Sequence, residues 1–380
     1  MSCLIKVKNN SLSRKFFSIS TLFKLVSVLS FLCLLLTYSS PYIHPNTIKI
    51  LPFLGLGYPI IVLVNCFILI VWTIARSRWA IYSLFIILLG GKLHFRTLSF
   101  TISKDTTKNT ELKVISYNVR LFDVYNPNLE SGLETRNQIF QFLRNENPDV
   151  VCFQEFYSQD KPTRFETMDS LFQVMGTKIY HQRSAYKRIA RQNFGIAMFS
   201  KYPMIAKGDV MFETQGSQDF NYCIYADIVK DQDTFRIYDV HLQSIKLQSD
   251  YYSAQTNDPT SNLTQESAIR LIYRKLQSAY VKRADQARRV VNHIKTSPYP
   301  TIVCGDFNDT PMSYTYNQFD RVLTDAFRNT STGIGVTYVG KMPAGRIDYI
   351  FHSPELASNN FKIQQEVLSD HRAISCIISK

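Results

Sequence analysis

The first hundred residues contain no aspartate or glutamate, and that absence limits what the chain can fold into more than any single motif does. The stretch holds ten Lys or Arg, set between long uncharged runs. Residues 25–48 form one run, most apolar from Leu25 to Leu36. Residues 50–75 form a second, rich in Leu, Ile, Val and Phe. A helix needs about 20 apolar residues to cross a hydrocarbon layer, so the second run suffices by itself and the first suffices if it begins near Thr21. Pro41 and Pro45 mark its end. A third run, Trp79 to Gly91, has 13 uncharged residues. It spans only by extending to about Phe95, with Lys92 and Arg96 reaching back to the interface. The expected organisation is a membrane region over 1–100 with two to three transmembrane helices (about 21–40, 51–75 and 79–95), a polar linker over 101–110, and a soluble domain over 111–380.

Buried core helices satisfy the same hydropathy, and a basic tail before an apolar core also reads as a cleaved signal peptide. In that case the second and third runs still anchor the chain. Lys6, Lys8, Arg14, Lys15 and Lys24 precede the first run, Arg76 and Arg78 separate the second from the third, and only Lys49 separates the first two. Basic short loops stay in the cytoplasm. The expectation is an integral, multi-pass membrane protein whose N-terminus is cytoplasmic. With three spans its domain is extracytoplasmic; with two it lies inside. Beyond residue 100, 33 Lys or Arg face 30 Asp or Glu, so the domain is nearly neutral and a simple water-soluble DNA-binding protein is disfavoured.

From about Glu111 the pattern alternates. β-rich apolar runs recur at Val114–Phe122, Val150–Phe153, Gly195–Phe199, Tyr222–Val229, Phe235–Leu242, Thr301–Cys304, Ile347–Phe351 and Ala373–Ile378. Helical patterns run from Glu134 to Glu146, ended by Asn147-Pro148, and from about Thr264 to Lys295, where Ala284, Ala287, Val291 and Ile294 share one face. Gln243 to Gln265 reads as a long polar loop. These alternations predict an α/β or α+β domain of about 270 residues. Cys152, Cys223, Cys304 and Cys376 each lie in a strand-like run and read as buried thiols. No Cys/His cluster suggests zinc.

Acidic, amide and imidazole side chains fall at or just past the ends of these runs: Asn118, Glu155, His241, Asp306, Asn308, Asp348, and the pair Asp370-His371. Each alone can be a turn residue or a solvated loop acid. Together they are harder to dismiss, because α/β sheets bind ligands in the crevice outside the strand ends. The ordered set Ser116-Tyr-Asn-Val-Arg, Gln154-Glu155, Gly195-Ile-Ala-Met-Phe-Ser-Lys-Tyr-Pro203, His241-Leu-Gln-Ser, Gly305-Asp-Phe-Asn-Asp-Thr-Pro311, Arg346-Ile-Asp-Tyr and Ser369-Asp-His371 resembles the endonuclease/exonuclease/phosphatase superfamily. The resemblance implies a four-layer sandwich of two packed β-sheets flanked by helices. It also implies metal-dependent hydrolysis of a phosphodiester.

By that resemblance Glu155 is a metal ligand, Asp370 a second candidate, and Asn118 a neighbour touching metal-bound water or phosphate. Oxygen ligands suit Mg²⁺ or Mn²⁺. His371 is the candidate general base, or the group that holds the attacking water, and Asp348 orients it. Asp306 aligns the nucleophile or aids proton transfer. Asn308 and His241 donate to the phosphoryl oxygens. Abasic-site endonucleases carry a Tyr where this chain has His241, which points away from DNA repair. Arg183, with Lys187, Arg188 and Arg191, forms a basic cluster that either contacts substrate or is a solvated face. The expected partners are a phosphodiester, in nucleic acid or a phospholipid head group, and the lipid bilayer; no protein partner is inferable. The first reading is nuclease-like; the alternatives are a phospholipid- or sphingomyelin-type phosphodiesterase or phosphatase, and a membrane scaffold that kept the fold without its chemistry, against which stands the filling of every expected site position.

Overall fold

A computed structural model describes residues 10–101, 110–125, 129–188, 191–212, 221–245, 265–340 and 345–380. The acid-free region forms helices α1 (Asn10–Ser39), α2 (Leu51–Leu56), α3 (Tyr58–Ile74), α4 (Trp79–Leu89) and α5 (Gly91–Thr97). Among the described residues, only Ser20–Ser39 within α1 is long and apolar enough to cross a membrane. Gly57 interrupts the second expected span and Gly90 the third, leaving helices of 17 and 11 residues. At 1.5 Å per residue these reach about 26 and 17 Å, short of the roughly 30 Å hydrocarbon thickness. The described residues therefore carry one spanning-length helix, and the multi-pass expectation is corrected on this point. The shorter helices pack onto α1: the Trp72 indole N–H at the end of α3 donates to Ser27 Oγ at 3.0 Å, and the Tyr38 hydroxyl at the end of α1 donates to the Ile86 and Ile87 carbonyls of α4. Outward the bundle presents Leu25 and Leu29 of α1 with Ile60, Leu63, Phe67, Ile81, Phe85 and Leu88, all exposed.

Beyond this bundle, β1 (Ser99–Phe100) pairs with β11 (Thr332–Gly333). Most of the expected linker lies outside the described residues. Two six-stranded sheets follow. The first contains β2 (Glu111–Asn118), β3 (Val150–Gln159), β4 (Tyr180–Arg188), β5 (Gln192–Ser200), β13 (Ala357–Ile363) and β14 (Ile374–Ser379), in the order β13-β14-β2-β3-β5-β4. The second contains β6 (Met204–Asp209), β7 (Tyr222–Lys230), β8 (Asp233–His241), β9 (Thr301–Asp306), β10 (Thr324–Asp325) and β12 (Asp348–His352), in the order β10-β12-β9-β8-β7-β6. Each sheet has one parallel pair, β2 with β3 and β8 with β9; its other pairs are antiparallel. The helices are α6 (Leu129–Glu146) and α7 (Thr167–Met175) on the first sheet, α8 (Gln265–Ile294) and α9 (Tyr314–Asp320) on the second, and α10 (Ala326–Thr330) against both β12 and β13, where Phe327 meets Phe361.

Alternation along the strands explains the layers. Leu112 and Val114 face the second sheet, among Cys152, Ile237, Ile302 and Cys304, whereas Ile115 and Tyr117 face Ile139, Phe140 and Leu143 of α6. Both faces are buried, which is why these strands read as continuous apolar runs. The second sheet is covered likewise, Tyr238 and Val303 meeting Ala287, Val290 and Val291 of α8. A fully buried aliphatic or aromatic side chain contributes about 1.5–3 kcal/mol, so the central strands hold the structure together. Edge strands β4, β6 and β13 escaped the sequence reading because they are shorter on apolar residues and less buried. The four strand-run cysteines are buried free thiols, as expected. The long loop after Gln243 falls mainly outside the described residues.

Candidate active site

The parallel and antiparallel registers bring three site residues side by side. His241 pairs with Asp306 across β8 and β9, and Asp306 pairs with Asp348 across β9 and β12. Gly305 makes this possible. Its φ is +148°, and a Cβ there would stand 1.9 Å from the Val240 carbonyl oxygen. The facing sheet supplies Asn118 from the end of β2 and Glu155 from β3. Pairing of β3 with β5 is irregular between Phe153 and Phe156, and Glu155 has φ +49°. Such a bulge re-aims a side chain at the cost of local strain, here turning a carboxylate out of the sheet.

Asp306 is the hub. Its Oδ2 accepts from Asn118 Nδ2 at 2.9 Å and from Asn308 Nδ2 at 3.2 Å, and its Oδ1 accepts from the Asn308 amide at 2.8 Å. The Nε2 atoms of His241 and His371 both lie 3.7 Å from the same Oδ2. His241 Nε2 is also 3.9 Å from Glu155 Oε1. The His371 Nδ1 meets both Asp348 oxygens, at 3.0 and 3.1 Å. That is the orienting contact expected of Asp348, and it fixes the tautomer and ring plane of His371.

Burial and charge set the proton affinities. Desolvation, reinforced by Asp370 and Asp306, pushes Glu155 up to about 7, against the opposing pull of His371 and an Asn118 hydrogen bond. Burial alone lowers His371, but the carboxylates of Asp348 and Asp306 override it and raise the imidazole to about 10. Burial also lifts Asp306 above the ordinary carboxylate range, opposed chiefly by His371. The two carboxylates thus favour the charged form of His371, and burial makes Asp306 more basic than an ordinary carboxylate. That arrangement favours the anchoring role for His371 over the general-base role.

Carboxylates crowd Glu155: Asp370 and Asp306 both raise its proton affinity, and a hard divalent ion with oxygen ligands fits that excess of negative charge. Asp306, Asp348 and His371 also have ligand atoms within 4.8 Å of one another. The Nδ1 of His371 is committed to Asp348, however, which leaves Glu155 and Asp370 as the better oxygen donors. The Asn118 Oδ1 accepts from the Arg120 amide at 3.1 Å, so Asn118 offers the site its N–H₂ rather than its oxygen.

Arg120 closes the Ser116-Tyr-Asn-Val-Arg motif without having been singled out, and three further site neighbours carried no signal in the sequence. Arg120 Nε lies 3.9 Å from Asp370 Oδ2, in a left-handed turn where Arg120, Leu121, Phe122 and Asp123 all have positive φ. The strand expected to run to Phe122 thus ends at Asn118. Tyr338 packs edge-on against His371 with ring centres 5.0 Å apart. Thr337 Oγ1 accepts from the amides of Ile347 and Asp348 at 3.1 and 3.2 Å. Arg283 of α8 donates to the carbonyls of Gln243, at 2.9 Å, and Asn308. Arg183 goes elsewhere. It pairs with Asp209 at 3.2 Å on edge strand β4, rather than with the Asp306 cluster, and the side chains of Lys187 and Arg188 lie outside the described residues.

A family model described as the endonuclease/exonuclease/phosphatase family matches residues 115–371. A second model, a domain of unknown function (DUF8431), matches residues 19–97. Among solved structures, the chain is similar to an endonuclease/exonuclease/phosphatase family protein from Leptotrichia buccalis, at 16% identity over 71% of this chain and 100% of that one, with a TM-score of 0.50. It is equally similar to one from Bacteroides vulgatus, at 17% identity over 71% and 99%, with a TM-score of 0.50. No curated protein matches the chain.

Proposed function

The chain belongs to the endonuclease/exonuclease/phosphatase family, whose members are hydrolases acting on phosphodiester bonds and use divalent metals, and on that footing we propose that it is a membrane-anchored phosphodiesterase using Mg²⁺ or Mn²⁺. The convergence of Asn118, His241, Asn308, Asp348 and His371 on Asp306 is the observation that carries this reading. The helix Ser20–Ser39 supports the anchoring. Residues 111–380 form the catalytic unit.

Glu155 and Asp370 would hold the ion, which when bound would offset charge on the phosphoryl oxygens. His371, kept charged and aimed by Asp348, donates Nε2–H to a phosphoryl oxygen and stabilises the transition state. Asp306 accepts the proton of the attacking water, helped by its raised basicity. Asn118 and Asn308 fix the Asp306 carboxylate through both its oxygens. His241, across Asp306 from His371, contributes a second donor to phosphate. The substrate is a phosphodiester, of nucleic acid or of a phospholipid head group.

The test is hydrolysis of bis-p-nitrophenyl phosphate by the full chain in detergent. Chelation should abolish turnover and Mg²⁺ or Mn²⁺ restore it, and Asp306→Ala and His371→Ala should each lower kcat by ~10² or more. Turnover indifferent to chelator and to both substitutions refutes the assignment.

A further inference from the structure

Helix α8 is longer than the sheet it covers. Its packed face runs through Leu276, Ala279, Tyr280, Ala284, Ala287 and Val291, all buried. Continued toward the N-terminus at helical spacing, the same stripe takes in Tyr273, Ile272 and Ile269. There the partners among the described residues run out. Tyr280 meets Phe53 of α2 edge-on at 5.5 Å and Tyr273 stacks on the same ring at 4.9 Å, but Ile269 is 61% exposed, with Ile272 and Leu271 also exposed. The apolar stripe thus leaves the domain at α2, beside a bundle whose own outer surface is apolar.

Two further observations say what covers it. From Ile269 to Lys282 the helix carries Arg270, Arg274, Lys275 and Lys282 and no acid, a basic amphipathic pattern suited to anionic head groups. The catalytic loop also ends in the bundle: Met312, four residues after Asn308, is buried among Leu34, Tyr38, Tyr58 and Leu93. Four residues reach at most about 14 Å, so Asn308 stands within that distance of a Met312 held by the helices. We propose that the first turns of α8 rest on the lipid bilayer beside the anchor as a second membrane contact, and that the phosphodiester taken by the site is carried by a bilayer lipid. The substrate half of this inference rests on the phosphodiesterase reading; the membrane contact does not.

The test uses the full chain, one copy per lipid nanodisc, with a photoactivatable phospholipid in the bilayer. The lipid should cross-link into the Ile269–Tyr273 peptide at a yield comparable to the exposed face of α1 around Leu25 and Leu29. Ile269→Glu combined with Ile272→Glu should lower that yield roughly tenfold or more, because the stripe then carries charge into the interface. The same double variant should hydrolyse bis-p-nitrophenyl phosphate at the wild-type rate, yet lose activity toward a phosphodiester lipid in the disc. Absence of cross-linking in the wild type overturns the contact. Protein–protein cross-links through this peptide in discs loaded with two copies, without lipid cross-links, assign the stripe to a second copy instead. No lipid hydrolysis by the wild type overturns the substrate assignment, and equal lipid hydrolysis by wild type and variant overturns the role of the stripe in presenting that lipid. Loss of bis-p-nitrophenyl phosphate turnover in the wild type refutes the enzymatic reading and leaves the cross-linking result intact.

Discussion

Glu155→Gln should make the fold more stable while removing its response to divalent cation. The Glu155 carboxyl titrates near 7 in the folded chain against 4.5 in an unfolded one, because it is desolvated beside Asp370 and Asp306. A group that holds its proton more tightly when folded favours the fold at low pH. That contribution is complete below about 4.5 and is lost as pH rises through about 7. At pH 8 the ionised side chain costs the fold about 3 kcal/mol, at 1.36 kcal/mol per pH unit. With a third of the side chain exposed, solvent screening brings this down to about 1–2 kcal/mol. The amide keeps the shape and removes the charge, so the melting temperature should rise by about 2–4 °C. The assay is thermal unfolding of the full chain in detergent, at pH 8 and pH 5, in chelator and in Mg²⁺. The gain should appear in chelator at pH 8 and shrink at pH 5, and Mg²⁺ should stabilise the wild type but not the variant. An unchanged or lower melting temperature at pH 8 refutes the crowded-carboxylate reasoning, as does a gain of equal size at both pH values.

Other expectations follow from neighbouring contacts. At limiting metal, hydrolysis should rise with pH through about 7, as Glu155 ionises and holds the cation, and fall near 10, as His371 loses its proton; a pH–rate profile of kcat/KM reads both limbs, and saturating metal should move only the acid limb, downward. Asp348→Asn removes the charge that holds the His371 proton, so the alkaline limb should move toward neutrality. Arg346→Met strips the 2.6 Å partner from buried Asp325, together with a donor to the Arg96 carbonyl. It should destabilise by about 3–5 kcal/mol in denaturant titration. Gly305→Ala puts a methyl into the Val240 carbonyl and should prevent β8 and β9 from pairing, seen as loss of folded protein on gel filtration.

Local chemistry decided a good deal of this protein. An acid-free stretch with a long apolar run favours a helix whatever lies beyond it, and alternating β-branched residues make strands that any packed sheet can use. The residues of the site stood out for the same reason: Asn118, Asp306 and His371 interrupt apolar runs at their ends, a pattern visible within a few positions. Proton affinity and partnership belong to another range. Asn118 and Asp306 are 188 residues apart, and no window of sequence reveals that they bond. Glu155 is unusual only because a bulge turns it toward Asp370, and His371 is charged only because two distant carboxylates surround it. Arg183 looked equally available, yet a neighbouring edge strand engages it with Asp209. Gly57 and Gly90 divide helices that hydropathy alone treats as continuous, and α8 outruns the sheet that its own periodicity could not measure. Hydrophobic pattern is an additive property of near neighbours, whereas desolvation and charge coupling depend on every group within several ångströms, and only the folded chain assembles those groups.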